Sequence, residues 1–248
     1  MKKILFYLIL VIIPLCSFSQ AMELSKDECE TKIRTIWNNS SSKEAKEKVS
    51  KLCLANPNNS KSLLNLYFLR SNIDKIELKN ALNKLSAENQ SDAYAKSLKY
   101  YIENNQVKIG DRFTDFKATT STGETFILSE ALKNKDVLLI FDGLSCVSKS
   151  VIQQLIDLNS KIDKNKVEII SFIFAQNADG LMNELESYEI PWLGVSDFEQ
   201  DHSKTKINYN VQGRPTYIYI DSTGKVLVNE PGAISNKAVK LLKKQILR

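Results

Sequence analysis

Two hydrophobic rhythms divide the chain near residue 107. Before it, apolar residues recur three and four positions apart, as in Leu63, Leu64, Leu66, Tyr67 and Leu69, and again in Ala93, Ala95, Leu98, Tyr101 and Ile102. That spacing puts one apolar stripe on an α-helix. The pattern predicts five helices, over roughly 26–39, 42–54, 60–71, 74–86 and 91–104. Breaks fall at "NNSSSKE", "NPNNS" and "ENQSD", where Asn, Ser and Asp offer caps and turns. From Met22 to Gln106 there is no glycine and one proline, Pro57. Nothing in this helical stretch carries chemistry; packing alone accounts for its pattern.

After residue 107 the apolar residues bunch together. "DVLLIFD" (136–142) and "VEIISFIFA" (167–175) are nearly continuous apolar runs, as expected of strands buried on both faces. Between them Val151, Ile152, Leu155, Ile156, Leu158 and Ile162 mark a helix with an inward stripe, spanning about 147–163. Strand, helix, strand implies a parallel pair joined by a right-handed crossover. A helix over "ADGLMNELESYEI", a short strand at "PWLGVSD" and a helix over "FEQDHSKTKINY" follow. "RPTYIYIDSTGKVLV" reads as a hairpin with strands 216–220 and 225–229, and "ISNKAVKLLKKQIL" as a closing helix. The fold class is therefore α/β, a mixed sheet flanked by helices and preceded by a small all-α region.

The first residues change the compartment. "MKKILFYLILVIIPLCSFSQ" has two lysines, an apolar run from Ile4 to Cys16, then small and polar residues. This is the build of a cleaved signal peptide, 1–19, with Ser17-Phe18-Ser19 as the cleavage site. The run is shorter than the roughly 20 residues a membrane span needs, so a leader is expected rather than an anchor. Cys16 raises a lipoprotein reading, but Leu15 is larger than a lipobox residue. The expected organisation is 1–19 signal peptide, 20–106 helical region and 107–248 α/β domain, in a periplasmic or extracellular protein. A formal net charge of +5, with dispersed lysines, makes no case for nucleic acid.

Export bears on the cysteines. Cleavage leaves Cys29, Cys53 and Cys146, an odd number, outside the cytosol where paired thiols oxidise. The simplest sorting is a Cys29–Cys53 bridge with Cys146 left over; two buried thiols are the alternative. Cys146 lies in "FDGLSCVSKS", where an apolar strand runs into a helix. It is half of a lost redox pair, a working one-cysteine site, or a core residue. The single His202, in a Lys- and Asp-rich stretch, reads as a surface residue. One histidine with scattered cysteines has no zinc spacing, so no metal or cofactor is expected. No phosphate loop or Ser-His-Asp order occurs.

The order of parts after residue 107 resembles the TlpA-like and ResA-like thiol-disulfide oxidoreductases of the thioredoxin-like superfamily. Gly110, Asp115-Phe116, Gly123, Leu128-Ser129 and Val137-Leu138-Leu139 match their opening, and Pro191-Trp192 and "VQGRPTYIYIDSTGKV" match downstream. The resemblance implies a thioredoxin-like fold over about 107–248. It implies that Pro215 is the cis-proline beside the active site, with Arg214, Pro215 and Thr216 forming the substrate groove. The family writes Trp-Cys-x-x-Cys; this chain writes Ser145-Cys146-Val147-Ser148-Lys149. The attacking cysteine position is kept, the resolving one is Lys149, and the preceding aromatic is gone. Cys146 would sit at a helix N-terminus, where free N–H groups and the helix dipole favour a thiolate, with Lys149 one turn on. One cysteine suits monothiol exchange with thiol- or disulfide-bearing exported proteins or peptides. The alternative is a redox-inactive thioredoxin fold used for binding or as a chaperone-like module. Peroxidase chemistry lacks its usual loop, since the positions before Cys146 include Gly143 and Leu139.

Overall fold

The computed structural model describes residues 24–142, 148–232 and 237–246. The expected signal peptide and Cys146 lie outside them. Five helices open the described chain: α1 (Lys26–Asn39), α2 (Ser42–Ala55), α3 (Ser60–Leu69), α4 (Lys75–Leu82) and α5 (Ala93–Glu103). Their starts follow from short polar side chains that satisfy otherwise orphaned amides. Ser25 and Glu28 form a reciprocal capping box at α1. Ser41, Asn59, Asp74 and Asp92 cap α2 to α5. The apolar stripes meet in one core that includes Ile33, Val49, Leu63, Leu66, Leu78 and Leu98. No helix among the described residues is long and apolar enough to cross a membrane.

Cys29 and Cys53 meet in this core but are not bridged, which corrects the disulfide expected from the sequence. Both are fully buried free thiols. The Ser62 hydroxyl lies 3.4 Å from Cys29 Sγ and also hydrogen-bonds the Cys53 thiol. Burial pushes the Cys53 thiol up to about 12, against the smaller pull of Ser62. The two sulfurs act as small core atoms served by one hydroxyl.

The remainder is the expected mixed sheet. Its strands are β1 (Lys117–Thr120), β2 (Thr125–Ile127), β3 (Asp136–Asp142), β4 (Val167–Ile173), β5 (Leu193–Ser196), β6 (Thr216–Ile220) and β7 (Val226–Pro231). They lie in the order β2-β1-β5-β4-β3-β6-β7. β3 pairs in parallel with β4, and β4 with β5; the remaining pairs are antiparallel. The short helices α6 (Leu128–Ala131) and α9 (Lys204–Asn208) join α7 (Lys149–Asn159), α8 (Ala178–Ser187) and α10 (Lys237–Ile246) around it.

Alternate residues of the central strands explain the unbroken apolar runs. Val137, Leu139 and Phe141 face a core with Phe116, Phe172 and Tyr209. Leu138 and Ile140 face the opposite core with Leu155, Trp192, Val239 and Leu242. Both faces are covered, so both sets of side chains are apolar. Two differences from the sequence expectation concern polar stretches. The β1–β2 hairpin is absent from the sequence expectation, because strands of four and three residues are too short to show an alternating pattern. The single helix expected over 198–209 is a 3-10 turn at Gln200–His202 followed by the short α9.

Candidate functional site

β3 is the central strand of the site region. It ends at Asp142, four residues before Cys146. The chain is described again from Ser148, and α7 begins at Lys149. Lys149 is exposed and lines a shallow cavity of about 180 Å³ with Tyr188 and Glu189, beside the end of α8. Ile152 and Leu155 bury one side of α7 and fix it against the sheet.

The register of β6 brings the predicted groove residues to the same end of the sheet. Phe141, one residue before the end of β3, pairs with Thr216, the first residue of β6. Arg214 and Pro215 immediately precede that pair. They lie where β3 delivers the chain toward Cys146. The Arg214–Pro215 peptide bond is cis, as the resemblance implies. Thr216 is 2% exposed, and its hydroxyl donates to the Gly213 carbonyl at 2.7 Å. The Pro215 carbonyl accepts from Gly232 N–H at 3.2 Å. The main-chain N–H and carbonyl of Arg214 make no hydrogen bond to another described residue.

The Arg214 side chain is not loose. Its guanidinium donates to Asp201 Oδ1 at 3.0 Å and its carbon lies 4.4 Å from the centre of the Phe174 ring. The same Asp201 oxygen accepts from Lys206 Nζ at 2.5 Å. Lys206 comes from α9 and its side chain is only 5% exposed. Burial pulls the Lys206 ammonium below its ordinary value, opposed by its bond to Asp201. Burial pushes Asp201 the other way, but Lys206 and then Arg214 outweigh it and hold the carboxyl below the usual range.

The helical region reaches this cluster. Tyr67 of α3 donates its phenol proton to the Asp201 carbonyl. Arg70, 1% exposed, donates to Val211 O at 3.1 Å and Tyr67 O at 2.7 Å, with its guanidinium over the Tyr67 ring. Ser97 of α5 shares a hydrogen bond of 3.0 Å with His202 Nδ1. His202 is therefore a half-buried contact, packed on Tyr94 at 4.8 Å between ring centres, and not the surface residue expected. Its polar neighbours in sequence hid an aromatic neighbour distant along the chain.

Of the residues singled out from sequence, Arg214, Pro215 and Thr216 are together at the end of β3. Lys149 starts the helix that follows. Cys146, between them in the chain, is outside the described residues. Sequence reasoning missed Asp201, Lys206, Phe174, Tyr67 and Arg70. Charged residues in a polar stretch read as solvated, and only the fold buries them. Among the described residues no group of three or more His, Cys, Asp or Glu could hold a metal ion.

Residues 108–246 match the Redoxin family. Among solved structures, one described as the C-terminal domain of a thiol-disulfide oxidoreductase from Bacteroides thetaiotaomicron aligns with a TM-score of 0.50 at 21% identity. It covers 56% of this chain and 96% of that one. A thiol-disulfide oxidoreductase from Bacteroides fragilis aligns at 0.48 with 23% identity, over 54% of this chain and 99% of its own. At 21% identity the likeness to the first of these is one of fold, and the fold is thioredoxin-like. No curated protein matches the chain.

Proposed function

The chain belongs to the Redoxin family, and we propose that it performs thiol-disulfide exchange through Cys146 as its one reacting thiol, on exported proteins or peptides. The observation that carries this reading is the β3–β6 register. It sets Arg214 and Pro215 at the strand end from which the chain departs for Cys146. The main-chain groups of Arg214, which make no hydrogen bond to a described residue, support a groove where an extended peptide adds as a strand. Cys29 and Cys53 are fully buried and do not compete for substrate.

The Cys146 thiolate attacks one sulfur of a substrate disulfide. The substrate S–S bond breaks, a mixed disulfide forms, and the other substrate sulfur leaves as thiolate. With Lys149 in place of a resolving cysteine, release requires a second thiol, from the substrate or a small molecule. That thiol attacks the mixed disulfide and expels Cys146 as thiolate. Lys149, in the first turn of α7, contributes positive charge toward the thiolate. The absent second cysteine also motivates the other reading, a redox-inactive groove that only binds.

Labelling with iodoacetamide across pH separates the two. Exchange requires half-maximal labelling of Cys146 below about pH 8.5, the value of an unperturbed thiol; labelling only above it supports the binding module. Lys149→Cys places a second thiol one helical turn from Cys146. This variant is expected to reduce insulin catalytically with a dithiol donor, whereas the natural chain traps mixed disulfides and turns over poorly. A folded but inert Lys149→Cys variant decides against exchange.

A further inference from the structure

We propose that Arg214 selects a carboxylate on the bound polypeptide, and that Asp201, held by the helical region, is the residue that positions it. This deepens the reading of Arg214 and Pro215 as a peptide groove and rests on it.

The charge balance around Arg214 is uneven. Arg214 and Lys206 share one carboxylate, that of Asp201. Arg70, the next cation, is satisfied by the carbonyls of Tyr67 and Val211 and by aromatic faces. Among the described residues no other carboxylate ion-pairs with these three cations. Lys206 is sealed from solvent, whereas 35% of the Arg214 side chain is exposed. Among the described side chains the surplus positive charge is therefore reachable at Arg214. A guanidinium has five N–H donors, and apart from the bond to Asp201 those of Arg214 make no hydrogen bond to a described residue. A carboxylate is the chemical group that fits this planar fork. An acidic side chain next to the cysteine of a bound peptide would meet it beside Pro215.

The aim of the fork is fixed from two sides. Phe174 supports its face, and Asp201 holds one edge. Asp201 is itself anchored, because Tyr67 bonds its carbonyl and Ser97 bonds the adjoining His202. Helices α3 and α5 of the N-terminal region thus set the geometry of a residue in the groove.

The test uses the full chain carrying Cys146→Ser, so that thiol chemistry plays no part. Binding is read by fluorescence anisotropy with two short peptides that have serine in place of cysteine. They are identical except for Glu or Lys beside it. The Glu peptide is expected to bind at least about fivefold more tightly, with the gap narrowing as salt rises. Arg214→Met should remove the difference and Arg214→Lys retain part of it. Asp201→Asn discriminates positioning from charge. It makes the cluster more positive, so charge alone predicts a larger preference for Glu, whereas loss of positioning predicts a smaller one. Equal binding of both peptides by the parent, no binding of either at about 1 mM, or an unchanged preference in Arg214→Met overturns the inference. A preference that grows in Asp201→Asn overturns the role of Asp201. Exchange by the natural chain with a small uncharged disulfide is measured in parallel. Exchange without peptide selectivity removes this inference and leaves the thiol reading; selectivity without exchange does the reverse.

Discussion

Ser62 touches two thiols, but burial decides how those cysteines behave. With both sulfurs buried and Cys53 pushed up to about 12, neither reacts with solvent reagents in the native state. Native iodoacetamide labelling is expected at Cys146 alone among Cys29, Cys53 and Cys146. Labelling after denaturation without reductant is expected at all three; recovery of a Cys29–Cys53 linked peptide by mass spectrometry would contradict the structure. Tyr67 gives a pH prediction. Burial raises its phenol from 10.0 to about 12, opposed by Arg70 and assisted by Asp201. A raised value means folding favours the protonated form. Its stabilisation is complete below about pH 10 and is lost as pH rises through about 12. Tyr67→Phe should flatten this part of the alkaline unfolding curve. At neutral pH it should cost about 1–3 kcal/mol, because the Asp201 carbonyl loses its donor.

At the scale of elements, the starts of α1 to α5 were legible because each uses a local device, one capping side chain reaching an amide two or three residues on. The central strands were legible because burial on both faces leaves an apolar run. β1 and β2 were not, since their pairing is with each other and, for β1, with the distant β5. Packing between elements is equally hidden. Gly194 in β5 lies under Leu185 of α8, and an added Cβ would come 2.5 Å from Leu185 Cδ2. Gly194→Ala is expected to destabilise by about 1–3 kcal/mol through overpacking. Adding Leu185→Ala should recover part of that loss in a double-mutant cycle by thermal unfolding; additive losses would show that the contact is not the cause.

For the whole molecule, the sequence boundary at 107 marks a change in element type, but tertiary contacts cross it. Ile207 of α9 is buried in the helical core, Val107 N–H donates to Asn208 O at 2.8 Å, and Arg70 bonds Val211 O. Arg70→Met should therefore lower the melting temperature of both parts together, monitored by hydrogen exchange in α3 and in β6. Loss of protection confined to α3 would show that the two parts unfold separately. The sequence by itself determined what short-range rules can encode. Periodicity set helix against strand, polar caps set the boundaries, and ordered motifs identified the thioredoxin-like fold. Tertiary structure alone decided that Asp201, Lys206, Arg70 and His202 are packed rather than solvated, that Arg214 is held against Phe174, and that Cys29 and Cys53 meet at Ser62 without a bond. The physical reason is distance along the chain: the energy of a buried charge or thiol depends on partners that periodicity cannot see, brought within hydrogen-bond reach only when the helical core closes against the sheet.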